Sequence, residues 1–177
     1  MPLRYLLPAA LLSSPLWLAP FHTGGATKPP ASCPDSSISA LRAYVTLDSS
    51  GARLSSSSYQ SSGIRRLVDW DEEPGYDESR VVVSWGVRCL TSTHDFTVAL
   101  LTLHSLGTIT ASPSGDAHQF IPAVDTVSWE VALQRKRARW VILAPLWSPA
   151  ISVSTAQRSF RLTNAAALDS AFDARRR

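Results

Sequence analysis

The sequence predicts an α+β domain: one helix packed on a strongly curved antiparallel sheet of about four long strands, closed by a short C-terminal helix. Three observations carry this. Ile38, Leu41 and Val45 recur at helical spacing behind Pro34-Asp35-Ser36. From Arg80 onward the period changes to two, with Val81, Val83, Trp85, Val87 and Cys89 apolar and Ser84, Gly86 and Arg88 between them. Finally, Asp125–Ala144 reads as a long hairpin, in which Val127, Trp129, Val131 and Leu133 alternate with Ser128, Glu130, Ala132 and Gln134. Its second arm, Trp140 to Leu143, is apolar throughout, so both of its faces should be covered. The link Gln134–Arg139 holds four cations and neither Gly nor Asn. Tight primed turns want residues at φ > 0, so a longer solvated connection is expected there.

At 177 residues the chain suffices for one domain with a sizeable core. Its formal charge of +3 is modest. The basic residues cluster at Arg65-Arg66, in the Arg135–Arg139 link and at Arg175–Arg177, without the dense basic face and stacking aromatics of a nucleic-acid binder, so no nucleic-acid partner is expected. Before the domain, Arg4 precedes an apolar run from Tyr5 to Phe21, interrupted by Pro8 and Pro15, and small residues follow at Gly24-Gly25-Ala26. The run is short for a span of ~20 apolar residues and reads as a secretory signal peptide, residues 1–26, removed near Ala26. An uncleaved anchor is the competing reading. On the first, the mature chain has no transmembrane span and is secreted or periplasmic. In that oxidising setting the isolated pair Cys33 and Cys89 is most simply a disulfide, closing a loop of about 57 residues worth roughly 4 kcal/mol in the chain-entropy model. Two buried thiols are the alternative.

Residues 27–35 read as a Pro-rich linker. Asp35 or Ser36 could cap the first helix, and Gly51 is a natural stop. The serine-rich stretch 55–62 reads as a loop or frayed helix. Ile64, Leu67, Val68 and Trp70 return the chain to the core. Six carboxylates then lie between Asp69 and Glu78. Pro74 and Arg80 break the calcium-loop pattern that Asp69, Asp71 and Glu73 begin, so a solvated loop is the reading. Gly86 suggests a bulge in the first strand, and Gly107 a bend or end in the second, Phe96–Ile109. Ser152 or Ser154 could cap a last helix carrying Val153, Ala156 and Phe160. Residues 161–177 show no clear anchor and read as a flexible basic tail, partly helical or disordered.

Three strings carry a family resemblance. Ala43–Leu54, AYVTLDSSGARL, resembles the "tyrosine, leucine-aspartate, glycine, leucine" segment of some secreted bacterial proteins with the nuclear transport factor 2-like (cystatin-like) fold. Arg139-Trp140-Val141-Ile142 resembles their "arginine-tryptophan-arginine-isoleucine" strand, and Ile151–Ala156 their closing "serine-valine, threonine-alanine" turn. The resemblance covers residues 36–160 and implies a helix-on-sheet cone. It carries no catalytic residue, because those members generally have no assigned activity. The chain departs from the fuller fold in showing no clear third helix before Arg80, where the acidic loop stands.

No phosphate loop, dinucleotide fingerprint, paired-histidine zinc helix or nucleophile elbow is present in the sequence. His94, His104 and His118 lack ligand spacing, so neither metal nor cofactor is expected. Aromatic residues are the stronger signal: Trp85, Trp129, Trp140 and Trp147 fall on or beside strands, and Tyr44 on the first helix. They either fill the core or line a pocket. By residue type, Tyr44, Asp48, Arg88 and His104 are the candidates for polar groups in a cone. The resemblance therefore implies a non-catalytic module that binds a small apolar ligand or a protein partner, with a homodimer through the sheet as one form. The alternative is a small isomerase or cyclase-like enzyme with its acid or base inside the cone. The leader reading has a direct check: intact-mass analysis of exported protein should show a new N-terminus close to Thr27, and soluble protein retaining Met1 would overturn it.

Overall fold

The structure, a computed structural model, describes residues 32–72, 76–111, 117–144 and 148–177. The expected leader, most of the linker, Trp147 and Glu73-Pro74-Gly75 lie outside the described residues. In chain order come α1 (Asp35–Ser49), α2 (Ser56–Ser61), a 3-10 turn (Ile64–Leu67), β1 (Glu78–Ser92), β2 (Phe96–Ala111), β3 (His118–Lys136), β4 (Arg139–Ile142), β5 (Ala150–Ser152), α3 (Val153–Ser159) and α4 (Ala165–Arg176). The sheet order is β4-β3-β2-β1-β5. The α+β class holds and the sheet is strongly curled. It is a mixed sheet of five strands, however, because β5 runs parallel to β1, and two helices, not one, close the chain.

Helix α1 forms because Leu41, Tyr44, Val45 and Asp48 share one buried stripe. No side chain caps its start: Pro34 occupies the cap position, and its carbonyl accepts the amides of Ser37 and Ile38. Neither Asp35 nor Ser36 caps, since Ser36 Oγ instead accepts the Trp140 indole N–H at 3.0 Å. Gly51 does end the helix, at φ 96°. The amide of Ala52 returns to Leu47 and that of Gly51 to Asp48, which satisfies the orphan carbonyls of the last turn. The serine stretch is a true short helix, α2, capped by Ser55 Oγ on the Ser58 amide. Its one large residue, Tyr59, is buried and donates its hydroxyl to the Trp70 carbonyl. Thus α2 and the 3-10 turn occupy the place where the sequence shows only serines and a return to the core.

The disulfide Cys33–Cys89 is formed, with Cα atoms 5.6 Å apart. It pins the chain just ahead of α1 to the inner face of β1. At the same end, Thr97 Oγ1 on β2 donates to Ser37 Oγ. A disulfide suits an oxidising compartment, and among the described residues no helix is long and apolar enough to cross a membrane.

Curl arises where the strand registers slip. Between β1 and β2 the slips fall at Val81–Ser84 and Cys89–Thr91, not at Gly86 as expected. Between β2 and β3 the register breaks from Ser105 to Gly107. Gly107 sits at φ 154°, and a Cβ there would stand 2.1 Å from the Ile121 carbonyl oxygen and 2.9 Å from the Phe120 ring. The strands bend there because only glycine permits the approach. Around these bends the core divides into two clusters. Leu41, Tyr44, Val45, Leu101, Leu103, Leu133 and Ile142 form the cluster under α1. Val81, Ile109, Phe120, Ile151, Ala156 and Leu168 form a second one with α3 and α4. Val81 and Ile151 belong to the second while their neighbours Val82 and Ala150 belong to the first, so both faces are covered at this end of the sheet.

The Gln134–Arg139 connection departs from expectation. Lys136 pairs with Arg139, leaving a two-residue turn of Arg137 and Ala138 at φ 48° and 69°. Non-glycine residues there cost roughly 1–2 kcal/mol each. The turn holds because Trp140, Val141 and Ile142 beyond it are all buried, as their unbroken apolar run predicts. Residues 161–177, expected as a flexible, partly helical or disordered tail, contain α4, which is not loose but rests on β2 and β3 through Leu168, Ala171 and Phe172. Helix α3 is capped by Ser152 Oγ on the Thr155 amide, one of the two alternatives above.

The outer edge of β3 is guarded along most of its length. Alternate residues turn their backbone groups away from β2. His118 bonds Arg161 and Thr163, and Phe120 is taken on both groups by the Asn164 side-chain amide at 2.9 and 2.7 Å. Pro122 has no N–H, the amide of Thr126 is capped by Asp125 Oδ1, and Ala132 accepts from Leu143. Among the described residues Ser128 and Glu130 are left with both groups open.

Two substitutions test these backbone constraints. Gly107→Ala should destabilise by about 2–4 kcal/mol in urea melts, whereas Gly86→Ala, with nothing within 4 Å of the added carbon, should cost less than ~1 kcal/mol. The pair Arg137→Asn and Ala138→Gly should raise stability by about 1 kcal/mol; a loss would show that the turn is not strained.

Candidate functional site

The seven candidate site residues separate into four places. Tyr44 and Asp48 lie on the buried stripe of α1, at 0% and 1% exposure. Trp85 and Trp129 lie on the inner sheet face, toward α1. Arg88 and His104 lie on the opposite, outer face. Trp140 is buried on β4 against the start of α1.

Asp48 is the centre of a buried polar network. Its Oδ2 accepts the Ala150 amide at 3.0 Å, and the Arg53 guanidinium stands 3.5 Å away. Arg53 is itself 3% exposed. Its Nη2 donates to the Tyr76 hydroxyl, and its guanidinium lies 4.8 Å from the Tyr76 ring centroid and 6.0 Å from that of Tyr44. Tyr44 in turn meets Trp70 edge-on, with centroids 6.4 Å apart. Burying either charge alone would be costly, and the pair is tolerated because each ion has polar partners. The carboxylate is engaged in holding β5 and Arg53. Arg53 and Tyr76 were not singled out by sequence reasoning, which assigned Trp70 to the core. An arginine in Gly-Ala-Arg-Leu carries no local sign of burial.

The part of the inner face flanking the residues sealed under α1 is a half-open apolar floor. Register aligns Trp85, Leu103 and Val127 across β1, β2 and β3, and beside them Val87, Leu101 and Trp129. Leu101 and Leu103 are sealed, while Trp85, Val87, Val127 and Trp129 are only half-buried. Strand spacing puts the two tryptophan backbones about 12 Å apart on a diagonal, with the leucines between. Alternation in the sequence located both tryptophans. Val87 and Val127 follow from the same period and were not named as pocket residues.

The outer face is polar and wetter. Ser84, His104 and Thr126 share a row, Gly86, Thr102 and Ser128 the next, and Arg88, Leu100 and Glu130 the third. His104 Nδ1 and Thr126 Oγ1 are 3.0 Å apart, as are the Thr102 and Ser128 hydroxyls. His104 and Arg88 therefore do not face the inner floor, because each belongs to the other parity of its strand.

A third region lies beside the sheet. A groove of about 550 Å³ runs between α2, the 3-10 turn and β4. Arg65, Arg66 and Arg139 line it together with Asp69 and Asp71. Asp71 bonds Arg65 at 2.8 Å, and this hydrogen bond, with its Coulomb attraction, raises the Arg65 pKa; Asp69 is held by Lys136. Among the described residues no group of three or more His, Cys, Asp or Glu is placed to hold a metal ion.

Asp48→Asn should expose what the carboxylate does: by leaving Arg53 buried without its counter-charge it should cost about 3–5 kcal/mol in denaturant melts. Arg88→Gln, on the exposed outer face, should stay within ~0.5 kcal/mol. Equal losses at the two positions would contradict the separation of faces.

Comparison with protein-family models, with curated proteins and with solved structures finds no match.

Proposed function

We propose that this chain is an exported, non-catalytic binding module of the nuclear transport factor 2-like kind, and that its inner sheet face takes a small apolar ligand. The observation that carries the reading is the half-open floor of Trp85, Val87, Val127 and Trp129 beside a sealed core. Large rings left partly exposed next to apolar walls are typical of ligand sites, in which few polar groups set orientation. The helix lying across a curled sheet and the disulfide support the family and the compartment respectively. Binding is favoured over isomerase or cyclase chemistry by the state of the candidate acid. Asp48 is engaged by the Ala150 amide and by Arg53, whereas a general base needs its carboxylate turned to the substrate.

Titration with an uncharged, environment-sensitive apolar dye tests the site. Saturable binding is expected, weakened about tenfold or more by Trp85→Ala and by Trp129→Ala, a loss of roughly 1.4 kcal/mol of binding energy in each case. Because both rings are only half-buried, each variant should lose less stability than the roughly 3–5 kcal/mol of a fully buried tryptophan. Absence of saturable binding by the native protein, or binding unchanged in both variants, would refute the proposal.

A further inference from the structure

The groove between α2, the 3-10 turn and β4 stands apart from the apolar floor and has a different chemistry. Its walls come from chain segments about seventy residues apart, joined where Val68 bridges Ile142 and the Asp69 amide bonds the Ile142 carbonyl. That bridge brings together two basic stretches, Arg65-Arg66 and the Arg135–Arg139 turn, which separately read as solvated charge.

Matching the charges leaves a remainder. Asp71 is taken by Arg65 and Asp69 by Lys136. Arg66 and Arg139 line the same groove, both exposed, with no acidic partner among the described residues. Both are arginines, whose planar fork suits carboxylate or phosphate oxygens bidentately. The rest of the lining is mostly polar: Gln60 and Ser61 offer an amide and a hydroxyl, and Trp70 is the one aromatic residue. The Trp70 Nε1 donor is buried and has no partner among the described residues.

We propose that this groove binds an anionic saccharide, its carboxylate or phosphate held between Arg66 and Arg139 and its hydroxyls by Gln60 and Ser61, with the sugar against Trp70. The volume of about 550 Å³ accommodates a sugar and its charged group. A purely apolar ligand would leave both guanidinium groups unused. A neutral sugar would forgo the charge-assisted hydrogen bonds that distinguish this groove from the remaining surface.

Calorimetric titration of the native chain at low ionic strength with glucose 6-phosphate, glucuronate, inorganic phosphate and glucose tests this. At least one of the two anionic sugars should bind at least tenfold more tightly than both glucose and inorganic phosphate. Preference for glucose 6-phosphate assigns a phosphate, and preference for glucuronate a carboxylate. Arg66→Gln and Arg139→Gln, both at exposed positions, should each weaken binding about tenfold or more, and Arg175→Gln on α4 should leave it unchanged. Failure of both anionic sugars to bind, inorganic phosphate binding as tightly as they do, or undiminished binding in the Arg66→Gln/Arg139→Gln double variant would overturn the proposal. Apolar dye binding in the same variants should be unaltered, so this result is independent of the inner floor.

Discussion

The acceptance of the Ala150 amide by Asp48 underlies much of the architecture. A three-residue strand such as β5 has few ladder bonds of its own. Its N-terminal amide is met by a carboxylate from the last turn of α1, at the end of the buried helical stripe, so the helix helps to fix the edge of the sheet. Once β5 is fixed, α3 starts directly from it under the Ser152 cap, and Thr155 Oγ1 closes back on the Ser49 carbonyl at the end of α1. Arg53 then balances the buried charge and carries the network to Tyr76. One carboxylate thereby links the first helix, the last strand and the approach to β1.

The two ends of α1 are held by different chemistry. At the start are a covalent bond, Cys33–Cys89, and the Ser36–Trp140 hydrogen bond. At the finish is the ionic network. Between these ends the helix covers the inner sheet face only in part, which is why Leu101 and Leu103 are sealed while the flanking tryptophans are not. The half-open floor is therefore a consequence of where the helix is anchored. Widening it would require moving an end that is covalently or electrostatically fixed.

Much of the fold was legible in local pattern. The α1 stripe, the opposite placement of Trp129 and Glu130, the buried Trp140–Ile142 run and the Ser152 cap all follow from period and cap chemistry, which act over a few residues. The cysteine pairing was legible because there were only two. What was missed depends on distant partners. Arg137 and Ala138 adopt a turn that their own preferences disfavour because the strands beyond them are buried. Helix α2, left open between loop and frayed helix, is a string of serines made stable by one internal tyrosine, and α4 has no evident anchor in the sequence until Phe120 and Ile109 are seen beneath it. The candidate site divides in the same way. Parity found the tryptophans of the floor and set Arg88 on the other face, whereas Arg88 and His104 joined the candidates by residue type alone, and both face away from the floor. Arg53 in its network, and Arg66 beside Arg139, are brought into place by pairings that no spacing in the sequence encodes.

The guarded edge of β3 bears on how the chain avoids its own kind. An open strand edge is a template for any other extended segment. Asn164 presents its side-chain amide to Phe120 much as a neighbouring strand would, but it ends the ladder instead of extending it. Pro122 and Asp125 do the same from within the strand. Arg161, Thr163 and Asn164 all reach this edge from the C-terminal segment, which emerges last, after every strand is already available to pair. The C-terminal segment thus closes the sheet in time as well as in space: until it docks, the edge at Phe120 is open, and a shortened chain would keep the core under α1 while leaving that edge exposed to strangers.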